Sequence, residues 1–309
     1  MKIGYFADGP WAHQAFEKIV ADKRFEIAFI VPRFSSLDPK LKAYSDKYNI
    51  PFLIQKNVNE ESFLKQISEY KCDIFVSMSY DQILKSQIRN LTPKGFINCH
   101  AGALPFYRGR NVINWAIING EDRLGITVHH VDDGIDTGDI IKQEFIPISA
   151  EDDYATMLDK TQTACAEVLY QALTDIELAN AKRIQQSSIH PVGFYCSRRQ
   201  AGDEWVNWSW PSERIHNFVR GICPPGPGAR FKINGETWAI TKTKLIPEAP
   251  TYIGAEGTVV ARSQDGVAVK TGDTTLQIHK VCRQDKKGIF GDSEIPTFPI
   301  GTRLTGYTK

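Results

Sequence analysis

Apolar residues in the first half of the chain follow two rhythms that alternate. Nearly continuous apolar runs at residues 2–7, 25–31, 72–78 and 96–100 predict strands buried on both faces. Between them, residues 11–22, 38–48, 60–70 and 81–89 carry apolar positions at helical spacing, and residues 51–54 form one more short strand pattern. This β-α-β-α order predicts an α/β domain of Rossmann-like type, a mostly parallel sheet with helices on both faces. Residues 111–119 predict a further helix that stops at Gly120, and residues 125–131 and 139–148 read as strands. Over residues 150–179, Leu158, Thr161, Ala164, Cys165, Val168 and Leu169 fall at helical spacing, and this long helix closes a domain spanning residues 1–186.

The texture changes after that. Residues 187–197 read as a linker, and Trp205, Trp208 and Trp210 bracket a short polar segment. Residues 211–221 suit a helix, whereas Cys223-Pro224-Pro225-Gly226-Pro227-Gly228 must be a loop. Short β-rich runs follow at residues 229–233, 237–244, 257–262, 266–270, 274–282 and 303–305. Such runs with frequent turns predict a smaller β-rich domain, an OB-like barrel, over residues 187–309. The tryptophans suit packing inside that domain better than a platform for stacked bases.

Candidate chemistry sits where the predicted strand 96–100 meets its loop. Asn98 and His100 are two apart, so a strand puts both on one face and Cys99 on the other. In doubly wound sheets ligands bind beyond the carboxyl ends of the strands, which is where these two side chains arrive. Asp136 lies in the turn Asp132-Asp133-Gly134-Ile135-Asp136-Thr137-Gly138 between two predicted strands. An amide can donate to an oxyanion, an imidazole can move a proton, and a carboxylate can orient that imidazole, so the set suits acyl transfer. Each residue also has an ordinary use: a structural histidine, a loop-capping asparagine, a turn aspartate.

Composition narrows the field. Apolar content of 42% and charged content of 24% are those of a globular protein, and a net charge of +1 gives no global pull toward nucleic acid or an acidic membrane. From Gly202 onward the bases Arg214, Arg220, Arg230, Lys232, Lys242, Lys244, Arg262, Lys270, Lys280, Arg283, Lys286, Lys287, Arg303 and Lys309 only slightly outnumber the acids. The N-terminus lacks a secretory pattern, and no run approaches the length of a membrane span. Cys72, Cys99, Cys165, Cys196, Cys223 and Cys282 are scattered without a CxxC pair, which fits a reducing cytoplasm rather than a zinc site or disulfide framework. His129-His130 with Asp132-Asp133 makes a poor metal site, because adjacent strand residues diverge. Gly4 and Gly9 do not form GxGxxG, so a nicotinamide site has no support.

Taken in order, Asn98-x-His100, Leu104-Pro105-x-Tyr107-Arg108-Gly109, Trp115 through Glu121, Gly125 through His129, and Asp133 through Gly138 resemble the 10-formyltetrahydrofolate-dependent formyltransferases. Within that family, Tyr107-Arg108-Gly109-Arg110 followed by Asn114-Trp115 looks more like the sugar-nucleotide branch than the methionyl-tRNA branch. Residues 194–245 resemble the formyltransferase domain acting on UDP-4-amino-4-deoxy-arabinose. One departure is Gly102-Ala103-Leu104-Pro105, where the family often has Ser-Leu-Leu-Pro. The resemblance implies catalysis by Asn98, His100 and Asp136, with no metal. It implies a 10-formyltetrahydrofolate cosubstrate whose pterin lies between Gln82, Ile83 and Leu84 on one side and Asp132, Asp133, Gly134, Ile135 and Asp136 on the other. Residues 82–84 also read as an ordinary first helical turn. Arg110 and Tyr107 are candidates for contact with an anionic nucleotide-sugar acceptor, although Arg110 also suits a surface ion pair. The expected partner is a small molecule, with no membrane and no nucleic acid; tRNA enters only if the methionyl-tRNA branch is right. A non-catalytic folate-binding protein is the reading from another class. The sequence is compatible with a homodimer.

Overall fold

The computed structural model describes residues 1–285 and 287–307; Lys286 and Lys309, named above among the bases, lie outside the described residues. The chain forms two compact units. The first comprises Met1–Val112, Arg123–Pro147 and Asp159–Cys196, and the second Ile113–Asp122, Ile148–Leu158 and Ser197–Lys309.

The first unit is built on β1 (Lys2–Ala7), α1 (Gly9–Ala21), β2 (Glu26–Val31), α2 (Pro39–Tyr48), α3 (Glu61–Ser68), β3 (Ile74–Met78), α4 (Ser86–Arg89) and β4 (Phe96–His100). After β5 (Arg108–Gly109) and α5 (Val112–Ile118) come β6 (Arg123–His130), β7 (Ile140–Pro147), α6 (Tyr154–Glu177), α7 (Gln186–Ile189) and β8 (Tyr195–Cys196). The main sheet has the order β2-β1-β3-β4-β6-β7. The pairings from β2 through β4 are parallel, and β6 and β7 add antiparallel. Both faces are covered because neighbours on β1 point opposite ways. The Tyr5 ring meets Phe16 of α1. On the other face Phe6 belongs to a core with Phe29, Phe75, Phe96, and Phe63 and Ile67 of α3. Ring centroids of Phe6 lie 5.0 Å from Phe96 and 5.4 Å from Phe75. Each such pair contributes roughly 0.5–1.5 kcal/mol beyond its buried area. Helix α2 starts where its sequence says: Asp38 caps the amides of Lys40 and Leu41, and Pro39 occupies the first turn.

Three expectations fail in this unit. Residues 51–54 give no strand; Phe52 alone makes a parallel bridge to Ile30. The helix expected over residues 81–89 is confined to Ser86–Arg89. Ahead of it the Asn59 side chain takes the Ile83 carbonyl and the Lys85 amide, at 2.8 and 2.9 Å, and holds the backbone out of a helix. The linker expected over residues 187–197 is partly ordered structure: α7 is a helical turn, and β8 pairs in parallel with β5.

The second unit contains α8 (Ser212–Ile222), β9 (Ala229–Ile233), β10 (Glu236–Leu245), β11 (Val259–Ser263), β12 (Gly266–Lys270) and β13 (Thr275–Arg283). Its antiparallel sheet has the order β11-β12-β13-β10-β9. The segment 301–305 joins the two edges. Thr305 exchanges amide hydrogen bonds with Lys232 of β9, and Gly301 and Thr302 bond to Val259 of β11. This segment thus bridges the two edge strands, β9 and β11, and brings the sheet round toward a barrel. Residues 303–305 enter as two bridges, at Arg303 and Thr305, rather than as the strand expected. Helix α8 buries Ile215, Phe218, Val219 and Ile222, an i, i+3, i+4, i+7 stripe, in the same core as Trp208, Phe231 and Trp238. Helix α5 from Ile113 onward and the first residues of α6 belong to this second unit, and within it Asn114 of α5 donates to the Gly221 carbonyl at the end of α8, at 2.7 Å.

Candidate active site

Strand β4 has the burial pattern of a strand enclosed on both sides, with one exception: Asn98 is its only partly exposed residue. Register explains what surrounds it. In the antiparallel pair with β6, Asn98 lies opposite His129 and His100 opposite Thr127. Residues directly opposite share a face, so β6 brings a second imidazole into the site.

Hydrogen bonds assign the protons. His100 Nε2 is 2.7 Å from the Tyr107 carbonyl oxygen, which only accepts, so Nε2 carries the hydrogen. Its Nδ1 faces Asp136 Oδ2 at 3.7 Å, too far for a hydrogen bond and close enough for a strong charge interaction. His129 Nδ1 donates to the His130 carbonyl at 2.8 Å, which leaves Nε2 to accept from Asn98 Nδ2 at 3.3 Å. The same Nε2 is 3.5 Å from Asp136 Oδ1. Asp136 Oδ2 also accepts from the Gly109 amide at 2.9 Å. The three residues singled out in the sequence therefore meet.

Protonation follows from the surroundings. Burial would raise the Asp136 pKa, but the charge that His100 and His129 carry when protonated, together with the Gly109 amide, outweighs it, and the carboxyl titrates well below the usual range. Asp136 is a carboxylate at neutral pH. Burial lowers the His100 pKa; Asp136 and the Tyr107 carbonyl push the other way and recover only part of the shift. His100 is thus neutral at physiological pH, with its free lone pair on Nδ1 beside a fixed negative charge.

Backbone and small residues hold this arrangement. Tyr107 and Asp136 both have left-handed backbone, with φ of 53° and 54°. Thr127 donates to the Gly102 carbonyl at 2.6 Å, and Gln143 bonds both Thr127 and the Leu104 carbonyl, so the loop after β4 is pinned to β6 and β7. A Cβ on Gly102 would lie 2.4 Å from the Tyr107 oxygen and 2.5 Å from His100 Nε2. In this chain any side chain at residue 102 would push the loop after β4 away from the His100 ring.

The other expected residues fall in distinct places. Tyr107 is 6% exposed, packs against Phe194, and reaches the site through its carbonyl rather than its ring. Arg110 is exposed and forms no ion pair among the described residues. The Gln82 side chain is spent on the backbone of Gln55 and Val58 and on the Tyr80 hydroxyl. Leu84 is buried, whereas Ile83 and Ile135 are 70% and 56% exposed. Asp132 accepts from the Gly134 amide and the Thr137 hydroxyl and shapes the acidic turn. Arg89, at the end of α4, pairs with Asp133 and so ties that turn to the segment carrying residues 82–84. Sequence reasoning missed His129 and Gln186. His129 was legible in principle, since pairing strand 96–100 with the next strand puts it opposite Asn98. Gln186, whose amide contacts the Asp136 and Gly138 carbonyls, left no local signal.

Comparison with known proteins places the geometry in a family. Residues 23–173 match the formyl transferase family, and residues 199–293 match the formyl transferase C-terminal domain. The chain is 34% identical over 312 residues to a methionyl-tRNA formyltransferase of Halothermothrix orenii, covering 97% of this chain and 98% of that one. It is 33% identical to a methionyl-tRNA formyltransferase of Desulforamulus reducens, covering 86% and 82% of the two chains. Among solved structures, an N-formyltransferase from Helicobacter canadensis in complex with folinic acid and dTDP-3-aminofucose aligns with a TM-score of 0.69 at 22% identity, over 90% of this chain and 99% of that one. A sugar 3N-formyl transferase solved with dTDP and 5-N-formyl-THF aligns with a TM-score of 0.67 at 23% identity, over 93% and 98%. At those identities the structural likeness speaks for the fold. On the sequence matches, the chain belongs to the formyl transferase family and is an N-formyltransferase.

Proposed function

We propose that the chain transfers the formyl group of 10-formyltetrahydrofolate to the amine of a nucleotide-linked amino sugar, for surface polysaccharide or lipid A precursors, in the cytoplasm. Asn98 has a second amide hydrogen free to donate to the formyl oxygen as it becomes anionic. A donor of this kind is worth roughly 3 kcal/mol of barrier. His100 accepts the proton of the attacking amine on Nδ1, the nitrogen that no hydrogen bond occupies. Asp136, 3.7 Å away, stabilises the imidazolium while it lasts. The same proton then passes to the departing folate nitrogen. His129 holds the Asn98 amide so that its hydrogens, not its oxygen, face the site.

The pterin fits between the backbone of residues 82–84 and the turn 132–136. Ile83 and Ile135 offer apolar surface there, and the Arg89–Asp133 pair keeps the two segments together. Arg110 remains available for a phosphate of the acceptor.

The observation that carries the acceptor assignment is charge. The second unit has sixteen basic and sixteen acidic side chains, so it lacks the cationic excess by which RNA binders draw in their ligand. The other acceptor, methionyl-tRNA, has two observations in its favour. Its enzymes are the relatives matched along the whole chain. In addition, Lys242 and Lys280 stand opposite each other on β10 and β13, exposed, with no acid paired to either among the described residues. A paired assay decides. Purified protein is given 10-formyltetrahydrofolate with either dTDP-, UDP- and GDP-linked amino sugars or methionyl initiator tRNA. The proposal expects formylation of a sugar nucleotide and none of tRNA; the reverse preference refutes it.

A further inference from the structure

Gln186 begins α7, immediately before the stretch whose sequence reads as a linker, and it is only 3% exposed. Its amide orientation is forced. Oε1 accepts from Arg108 Nε and Nη2 at 3.0 and 2.7 Å, and a guanidinium can only donate. Nε2 therefore turns to two carbonyl oxygens, those of Asp136 and Gly138, each at 2.8 Å. Arg108 is itself 9% exposed. Its remaining contacts are the Val192 carbonyl at 3.2 Å and the face of Tyr195 at 5.4 Å. Among the described residues no carboxylate pairs with it. A buried guanidinium without an acid is costly. Here its charge polarises the Gln186 amide and strengthens both N–H donors.

Those donors act where the backbone is strained. Asp136 has φ of +54°, a conformation that is costly for a non-glycine residue and lasts only where neighbours enforce it. Gln186 grips the turn at residues 136 and 138 from the main-chain side, while Gly109, next to Arg108, grips the Asp136 carboxylate. We propose that Arg108 and Gln186 are a positioning pair for formyl transfer, in which Gln186 sets the 136–138 turn so that the Asp136 carboxylate stays beside the His100 ring. This rests on His100 and Asp136 being the working pair of the reaction proposed above.

The test uses Gln186→Met, Gln186→Glu, Asp136→Asn, and Gln186→Met combined with Asp136→Asn. The readouts are kcat and KM and the NMR titration of His100, whose ionisable neighbours are Asp136 and His129, with Arg108 behind Gln186. Gln186→Met should lower kcat roughly 10²-fold, the cost typical of a small misplacement, with little change in KM. It should also move the His100 midpoint downward, in the direction of Asp136→Asn, and add no loss on the Asp136→Asn background. Gln186→Glu keeps a partner for Arg108, and hence the fold, but turns acceptors toward both carbonyls; it should lose kcat as well. The proposal is overturned by an unmoved His100 midpoint in Gln186→Met, by an equal kcat loss with and without Asp136, or by full activity in Gln186→Glu. The titration needs no acceptor. Failure of every sugar nucleotide would therefore bear on the reaction, and the titration on Gln186 alone.

Discussion

The sheet edge of the first unit and the turns of the barrel handle difficult backbone in opposite ways. In the barrel, left-handed positions fall mostly to glycine: Gly228, Gly235, Gly257 and Gly266 all have positive φ. Glycine adopts such angles without steric cost, and these turns serve only to connect strands. At the sheet edge the left-handed residues include Ser79, Tyr107, Asn111 and Asp136. Two of these touch His100, one through a carbonyl and one through a carboxylate. Strain is tolerated there because it aims chemical groups, and surrounding hydrogen bonds hold it. The buried charges differ likewise. Lys270 in the barrel is satisfied by the Thr271 and Asp273 carbonyls and the Tyr252 ring, a closed set. At the edge, His100 and Asp136 leave a lone pair and a charge facing each other at 3.7 Å, a set open to a proton.

Substitutions at the two places should break that contrast or sharpen it. The largest loss is expected for His100→Ala, roughly 10²–10⁴-fold in kcat, and Asn98→Ala should follow at roughly 10²–10³-fold, both with folate still bound in equilibrium binding. Asp136→Asn should cost somewhat less, and it changes the pH profile in a defined direction. In the mechanism we propose, the amine's proton needs a neutral His100, so kcat should rise with pH through the His100 pKa. Burial sets that pKa below the ordinary imidazole value of about 6.5, so the acid limb of kcat lies below it. Removing the Asp136 charge removes the group that raises the pKa, and the limb should move lower still; a limb that moves up would contradict the assignment.

Glycines then separate the two regions. Gly102→Ala places a methyl against the Tyr107 oxygen and His100 Nε2 and should cut kcat roughly tenfold or more. Gly235→Ala, at φ +83° with nothing within 4 Å, should cost about 1 kcal/mol of stability and leave kcat alone. Differential scanning calorimetry beside steady-state kinetics reads both. The smallest effect concerns His216 on α8. Burial and the nearby Arg220 lower its pKa to about 4, with Glu151 opposing. Its folded pKa lies below the unfolded value, so its contribution is complete above about pH 6.5 and fades as pH falls toward about 4. His216→Gln should flatten the melting temperature across that window; an unchanged slope would show that His216 contributes nothing there.

The same contrast explains what the sequence made legible. Strand β4 falls at residues 96–100 as read, because an apolar run enclosed on both faces is a local signal. The barrel strands at 229–233 and 266–270 were legible because turn residues bracket them. Residues 81–89 misled because Ile83, Leu84 and Ile88 fall at helical spacing. The deciding interaction comes from Asn59, a residue distant in the chain. Gln186 was hidden for the same reason: its partners are Arg108, Asp136 and Gly138, and a glutamine in a polar stretch has no periodicity to betray it.

The central claim is that the Nδ1 lone pair of His100, beside the Asp136 carboxylate, receives the amine's proton during formyl transfer. Single-turnover transfer by His100→Ala, measured against the parent chain with saturating folate and acceptor, tests it most directly. A rate lower by at least roughly 10² with folate affinity unchanged is the predicted result. A rate equal to that of the parent would contradict it.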